Sequence, residues 1–281
     1  AKSGAVFIGS GDSHAELAGT VTIAAGRGVA DDDSNTGAAV KVHAGDISGN
    51  GIGGELNLAA GAGAVGGEVS ISAGAGTRGS GGLVNIAAGE ASGASNGGDI
   101  TMEAGLALGS GNGGAIDIIA GEGGSDASVG GDVSVQAGVS RTGTGGSLYL
   151  TGGASTSAGT SGNVLLTSAD AGTSGDVSMT SGSAANGESG QVSIRSGDST
   201  SANAGNVAIR AGSSVSEKGG SLSFKSGDGA AGGSISIDSG IGEDGNKSGG
   251  STTITGSNTV TIATRGATSS DDTSGVVSMN T

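Results

Sequence analysis

The chain has 281 residues, 65 of them glycine, no proline, cysteine or tryptophan, and three aromatic side chains, Phe7, Tyr149 and Phe224. So few large side chains exclude an ordinary globular core. The net charge of −15, from 26 acids against 11 bases, with no basic patch or stacking platform, excludes nucleic acid as a partner.

The acids keep a repetitive chain soluble. Absence of cysteine fits an exposed, oxidising setting. No stretch is apolar enough to insert in a membrane, and "AKSGAVFIGSGDSHAEL" shows no signal peptide. A chain that starts at Ala1 rather than methionine is expected to be a processed product or a fragment.

One phrase recurs along the chain: two glycines, a small or acidic residue, a short apolar alternation, then Ala-Gly or Ser-Gly. Its first apolar residue serves as an anchor, position 0. The anchors are Val6, Val21, Val40, Leu56, Val69, Val84, Ile100, Ile116, Val133, Leu148, Val164, Val177, Val192, Val207, Leu222, Ile235, Thr252, Val260 and Val277. Most steps are 13 to 17 residues. A second apolar residue stands at +2 (Ile71, Ile86, Met102, Ile118) and a small one at +4 (Ala73, Ala88, Ala104, Ala120). Period two over five residues is strand spacing, and Val and Ile suit a pleated, half-buried surface. The intervening "GAGTRGSGG" and "GEASGASNGG" are small, flexible and variable in length.

The expected fold is all-β: a single parallel β-solenoid of about 19 short thin coils, period 13–17, with glycine-rich corners and return legs. Two large side chains per coil cannot offset the ordering of a whole coil, so a ladder between many coils is required. The glycines are expected to turn the corners at positive φ and to keep the core thin. Residues 1–250 read as the repetitive solenoid. Residues 251–281 read as irregular coils, a cap or subunit junction, because the step from Thr252 to Val260 is only 8. The step from Val21 to Val40 is 19, with "DDDSNTG" inserted.

No motif supports catalysis. His14 and His43 lack a clustered third ligand for zinc. There is no Ser-His-Asp order, nucleophile elbow or phosphate-binding glycine loop, and "GxGxxG" strings arise by chance in so glycine-rich a chain. The expectation is that the protein is not an enzyme and has no cofactor or bound metal. Weak calcium binding is considered at the acids beside the corners, Asp46, Asp198 and Asp228, and at Glu55, Glu68, Asp99, Asp132 and Asp176 before the apolar run. The segment "GEGGSDASVGGDV" lacks the regular spacing of calcium-binding nonapeptide repeats. Thr20/Thr22, Thr253/Thr255 and Thr259/Thr261 raise ice binding, but Glu55, Asn57, Asp117, Tyr149, Arg210 and Lys225 interrupt any flat threonine face. Asn246-Lys247-Ser248 is a glycosylation sequon, with Asn246 as the acceptor.

The repeat "GG-[DENS]-Φ-x-Φ-x-[AS]-G", where Φ is apolar, resembles Gly/Ser-rich β-solenoid repeat proteins of algal, diatom-like cell surfaces or extracellular matrix. It looks less like the filamentous-haemagglutinin type of secreted solenoid. The resemblance implies an extracellular or cell-surface location and structural or adhesive use, and it assigns no functional residue. The function expected is a non-catalytic structural subunit of an extracellular fibre, sheath or appendage, built by end-to-end stacking of coils. The alternatives are an ice-binding protein and a calcium-dependent adhesin. The expected partner is the chain itself, head to tail, through Val6 and Ile8 at one end and Val277 and Met279 at the other. Glycans and divalent cations are further partners considered.

Overall fold

The computed structural model describes residues 3–14, 17–28, 36–125, 128–156, 159–242, 249–264 and 277–279. Among these there is no helix and no strand. This overturns the β-solenoid: no ladder joins one phrase to the next, so there are no stacked coils. The segment 251–264 likewise forms no strand. The chain divides into two units, Ala1–Gln136 and Ala137–Thr281.

The period-two pattern survives without strands. Across the phrases from Val21 to Val260 the apolar anchors are 46–62% exposed, and the +2 residues rather more. Side chains of the opposite parity stand out further: Leu83 is 86% exposed beside Val84 at 46%, and Tyr149 is 85% exposed between Leu148 and Leu150. Most of the described residues of intermediate burial are small residues at +4, including Ala44, Ala88, Ala104, Ala120, Ala137, Ala211 and Ser226. Two faces therefore exist locally, yet no described hydrophobic residue is buried. The accessible surface is 27623 Å². A compact protein of 25.5 kDa exposes about 10,000 Å² and an unfolded one about 37,000 Å². Most of the apolar surface that a compact fold would hide stays in water.

What organises the chain is one repeated hydrogen bond. In eleven phrases the glycine at −2, usually the second of a Gly-Gly pair, donates its N–H to the carbonyl of the glycine that ended the previous phrase, at +5; among the described residues the phrases anchored at Val177, Val192 and Val207 lack this bond. Gly82 bonds to Gly74 at 2.9 Å, Gly98 to Gly89 at 3.0 Å, Gly114 to Gly105 at 2.9 Å and Gly220 to Gly212 at 2.9 Å. Each clasp closes a loop, from five residues (62–66) to nine (122–130). Several loops carry an inner brace: Ser140, Ser199 and Ser214 each accept from the backbone N–H three residues on, at 2.9 to 3.0 Å.

The clasp explains the second glycine. A Cβ at Gly82 would lie 3.2 Å from Ala73 Cβ and 3.3 Å from Gly74 N; one at Gly114 would lie 3.3 Å from Ala104 Cβ and 3.2 Å from Gly105 N. The glycine is there for close approach. The expected positive-φ corners are rare: among the described residues only Gly49 and Gly93 have positive φ.

Replacing Gly82 by Ala should therefore loosen its clasp. Protection of the residue-82 amide in hydrogen exchange should fall roughly fivefold, as for a weakened net hydrogen bond of about 1 kcal/mol. Gly81→Ala, whose Cβ would meet only Gly74 O at 3.8 Å, should leave that protection unchanged. Equal loss in both variants would refute the close-approach account.

Candidate functional site

The surface that repeats is the phrase itself, so the candidate site is a series and not a pocket. Each phrase presents an apolar pair at 0 and +2 on one parity. On the other parity it presents −1, +1 and +3. The clasps use only the amide at −2 and the carbonyl at +5. In the phrases anchored at Val192, Val207 and Leu222, the N–H and C=O groups from −1 to +4 make no described backbone–backbone hydrogen bond.

The outer positions carry charge in an ordered way. At −1 stand Glu55, Glu68, Asp99 and Asp132 in the first unit, and Asp176 in the second. At +3 stand Arg195, Arg210 and Lys225, in three consecutive phrases with a step of 15, while Glu103 and Asp238 hold +3 in the phrases anchored at Ile100 and Ile235. All of these side chains are exposed. Residues 1–136 hold 4 bases and 15 acids, a net −11, whereas 137–281 hold 7 bases and 11 acids, a net −4. Residues 189–226, with 4 bases and 2 acids, are locally positive. Alignment on the anchors holds this row in plain sight, but scanning for dense basic patches misses it because the cations lie fifteen residues apart.

Lys225 Nζ pairs with Asp228 Oδ2 at 2.8 Å, with both side chains more than two-thirds exposed. Neither Arg195 nor Arg210 pairs with another described residue. Arg195 borders an open polar hollow of about 560 Å³, lined also by Ser193, Ser196, Gly197 and Asp198. These residues come from one short stretch, so the hollow offers local polar groups and no converging nucleophile and base. Ser236 Oγ donates to Asp238 Oδ2 at 2.6 Å.

The residues expected to join subunits are exposed. Val6 is 88% accessible, Met279 90%, and Ile8 and Val277 are also open to solvent. Val6 and Ile8 lie in the first unit and Val277 and Met279 in the second. Asn246 lies outside the described residues. His14, His43, Asp46, Asp198 and Asp228 are exposed. No group of three or more His, Asp or Glu able to hold a metal occurs among the described residues. No helix among them is long and apolar enough to cross a membrane. Comparison with protein families, with curated proteins and with solved structures returns no match.

The Lys225–Asp228 contact is a surface pair and should be weak and salt-sensitive. Following the Asp228 carboxyl carbon by NMR, the signature of the contact should fade between about 10 mM and 0.5 M salt, over which the Debye length shrinks from about 30 Å to a few Å. A signature that persists at high salt would show a tighter contact than this exposure allows.

Proposed function

We propose that this chain is a non-catalytic structural subunit of an extracellular or cell-surface fibre, sheath or matrix, and that it works by associating with copies of itself. The observation that carries this reading is the repeated apolar pair, preceded in most phrases by a glycine clasp and left about half to three-quarters exposed in phrase after phrase. A monomeric protein rarely leaves so much ordered apolar surface in water; such surface marks association. Repetition multiplies a weak contact into a strong one. The acidic balance keeps unassembled chains apart and soluble.

Val6, Ile8, Val277 and Met279 belong to the same exposed apolar set and are candidates for contact between subunits. Their contribution rests on apolar surface, since there is no coil stack for them to cap. Nothing in this reading requires a cofactor or a resident metal. Serine- and threonine-rich loops suit an extracellular matrix, where they can carry glycans.

Sedimentation of the purified chain over a wide concentration range is the direct test. Association should rise with concentration. Substituting the pairs Val84/Ile86, Ile100/Met102 and Ile116/Ile118 by serine should raise the concentration needed at least tenfold, because each buried side chain of this size contributes about 1.5–3 kcal/mol. Serine at the loop residues Leu106, Leu108 and Val139 should change it little. A wild-type chain that stays monomeric at millimolar concentration would overturn the proposal.

A further inference from the structure

The charge positions say how two copies meet. In any antiparallel alignment that keeps apolar residues on one parity and centres on +1, position 0 of one chain faces +2 of the other, and −1 faces +3. Five acids stand at −1 and three cations at +3; two acids, Glu103 and Asp238, also stand at +3, but −1 of the cationic phrases is the neutral Gln191, Asn206 and Ser221. Antiparallel pairing therefore sets Glu55, Glu68, Asp99 or Asp132 of one chain across from Arg195, Arg210 or Lys225 of another. Parallel in-register pairing would set acid on acid and cation on cation, which is unfavourable. The unused backbone groups of the three cationic phrases supply the ladder that a single chain lacks.

We propose that the cationic phrases 190–196, 205–211 and 220–226 are a docking surface for the acid-led phrases of a second copy of this chain, paired antiparallel with −1 opposite +3. This rests on the self-associating reading above and specifies its contact. The net charge of −15 does not forbid it. At physiological salt the Debye length is about 8 Å, so repulsion between distant acids is largely screened. Directly opposed residues have Cβ atoms about 5 Å apart, so matched charges there are screened less. The second copy is favoured over a foreign polyanion because the same phrases supply matching apolar pairs as well as acids.

The test uses the full chain at fixed salt. The variant R195E/R210E/K225E places acid opposite acid, and E55K/E68K/D99K/D132K places cation opposite cation. Each alone should need on the order of tenfold more protein to associate than the wild type. An equimolar mixture should regain wild-type association, because both kinds of contact are then complementary between unlike chains. The control R78E/R141E/K218E reverses three loop cations and has the same net charge as the first variant; it should associate like the wild type. Three outcomes overturn the pairing while leaving the structural reading intact. They are wild-type association of R195E/R210E/K225E, equal weakening by the loop control, and failure of the mixture to recover. A wild-type chain that never associates overturns both proposals. Pairing that is unchanged on dilution, detected by cross-linking of cysteines placed at 70 and 193, the opposed +1 positions, would assign the contact to one chain and overturn the second copy.

Discussion

Most phrases of this molecule are placed by a hydrogen bond between two glycines. The donor at −2 and the acceptor at +5 are separated by a loop of changing length, yet the bond stays at 2.8–3.0 Å through every Gly–Gly clasp from Gly45–Gly54 to Gly240–Gly250. A net hydrogen bond contributes about 1 kcal/mol, too little to order a domain. It is enough to close a short loop and to fix where the next phrase begins. Loop closure depends only weakly on length, so five or nine intervening residues serve alike. The clasp thereby absorbs irregular spacing and returns the chain to register before most apolar pairs, but not before those at Val177, Val192 and Val207.

The same bond decides composition. A carbonyl can be approached this closely by an amide whose residue has no Cβ, beside a neighbour no larger than Ala or Ser. Gly146 against Ala137 and Gly233 against Ser226 repeat the geometry of Gly82 against Ala73, with a Cβ placed 3.2–3.4 Å from its neighbour. A small residue at +4 and a glycine at −2 are thus two sides of one contact. Most of the described residues of intermediate burial are accordingly at +4, although these are the least hydrophobic of the three on their face.

That much was legible in the sequence. The phrase, its period of two, the parity of its faces and the small residue at +4 all show in the exposures of Val84, Ile86 and Leu83. The solenoid was not, and its failure has a physical cause. Period two specifies a strand only if a partner supplies the ladder, and two apolar residues per phrase do not bury enough surface to hold a partner within one chain. Odd and even loop lengths both occur, as in Gly61–Gly67 and Gly89–Gly98, so a neighbour offset by one repeat would meet varying register. Positive φ was expected from the abundance of glycine, but abundance does not distinguish conformational need from close approach. The cation row of Arg195, Arg210 and Lys225 lies in the anchor alignment, but its members stand fifteen residues apart and form no dense basic patch.

A chain that leaves its apolar pairs exposed must also avoid indiscriminate aggregation, and here charge placement matters more than charge amount. Apolar contact is nearly indifferent to direction and register: Val and Ile against Ile and Val bury similar area whichever way two phrases run. Acids at −1 and cations at +3 break that symmetry, since one orientation matches them and the other opposes like with like. Each matched exposed pair contributes only tenths of a kcal/mol to about 1 kcal/mol. Acting in more than one phrase, as at the adjacent Glu55 and Glu68 phrases, such pairs separate two otherwise equivalent arrangements by a useful factor without making any single contact strong. The loops then serve as linkers that bring a second phrase within reach once the first has docked. On this account the chain is repetitive because specificity, like affinity, is accumulated in small equal steps along it.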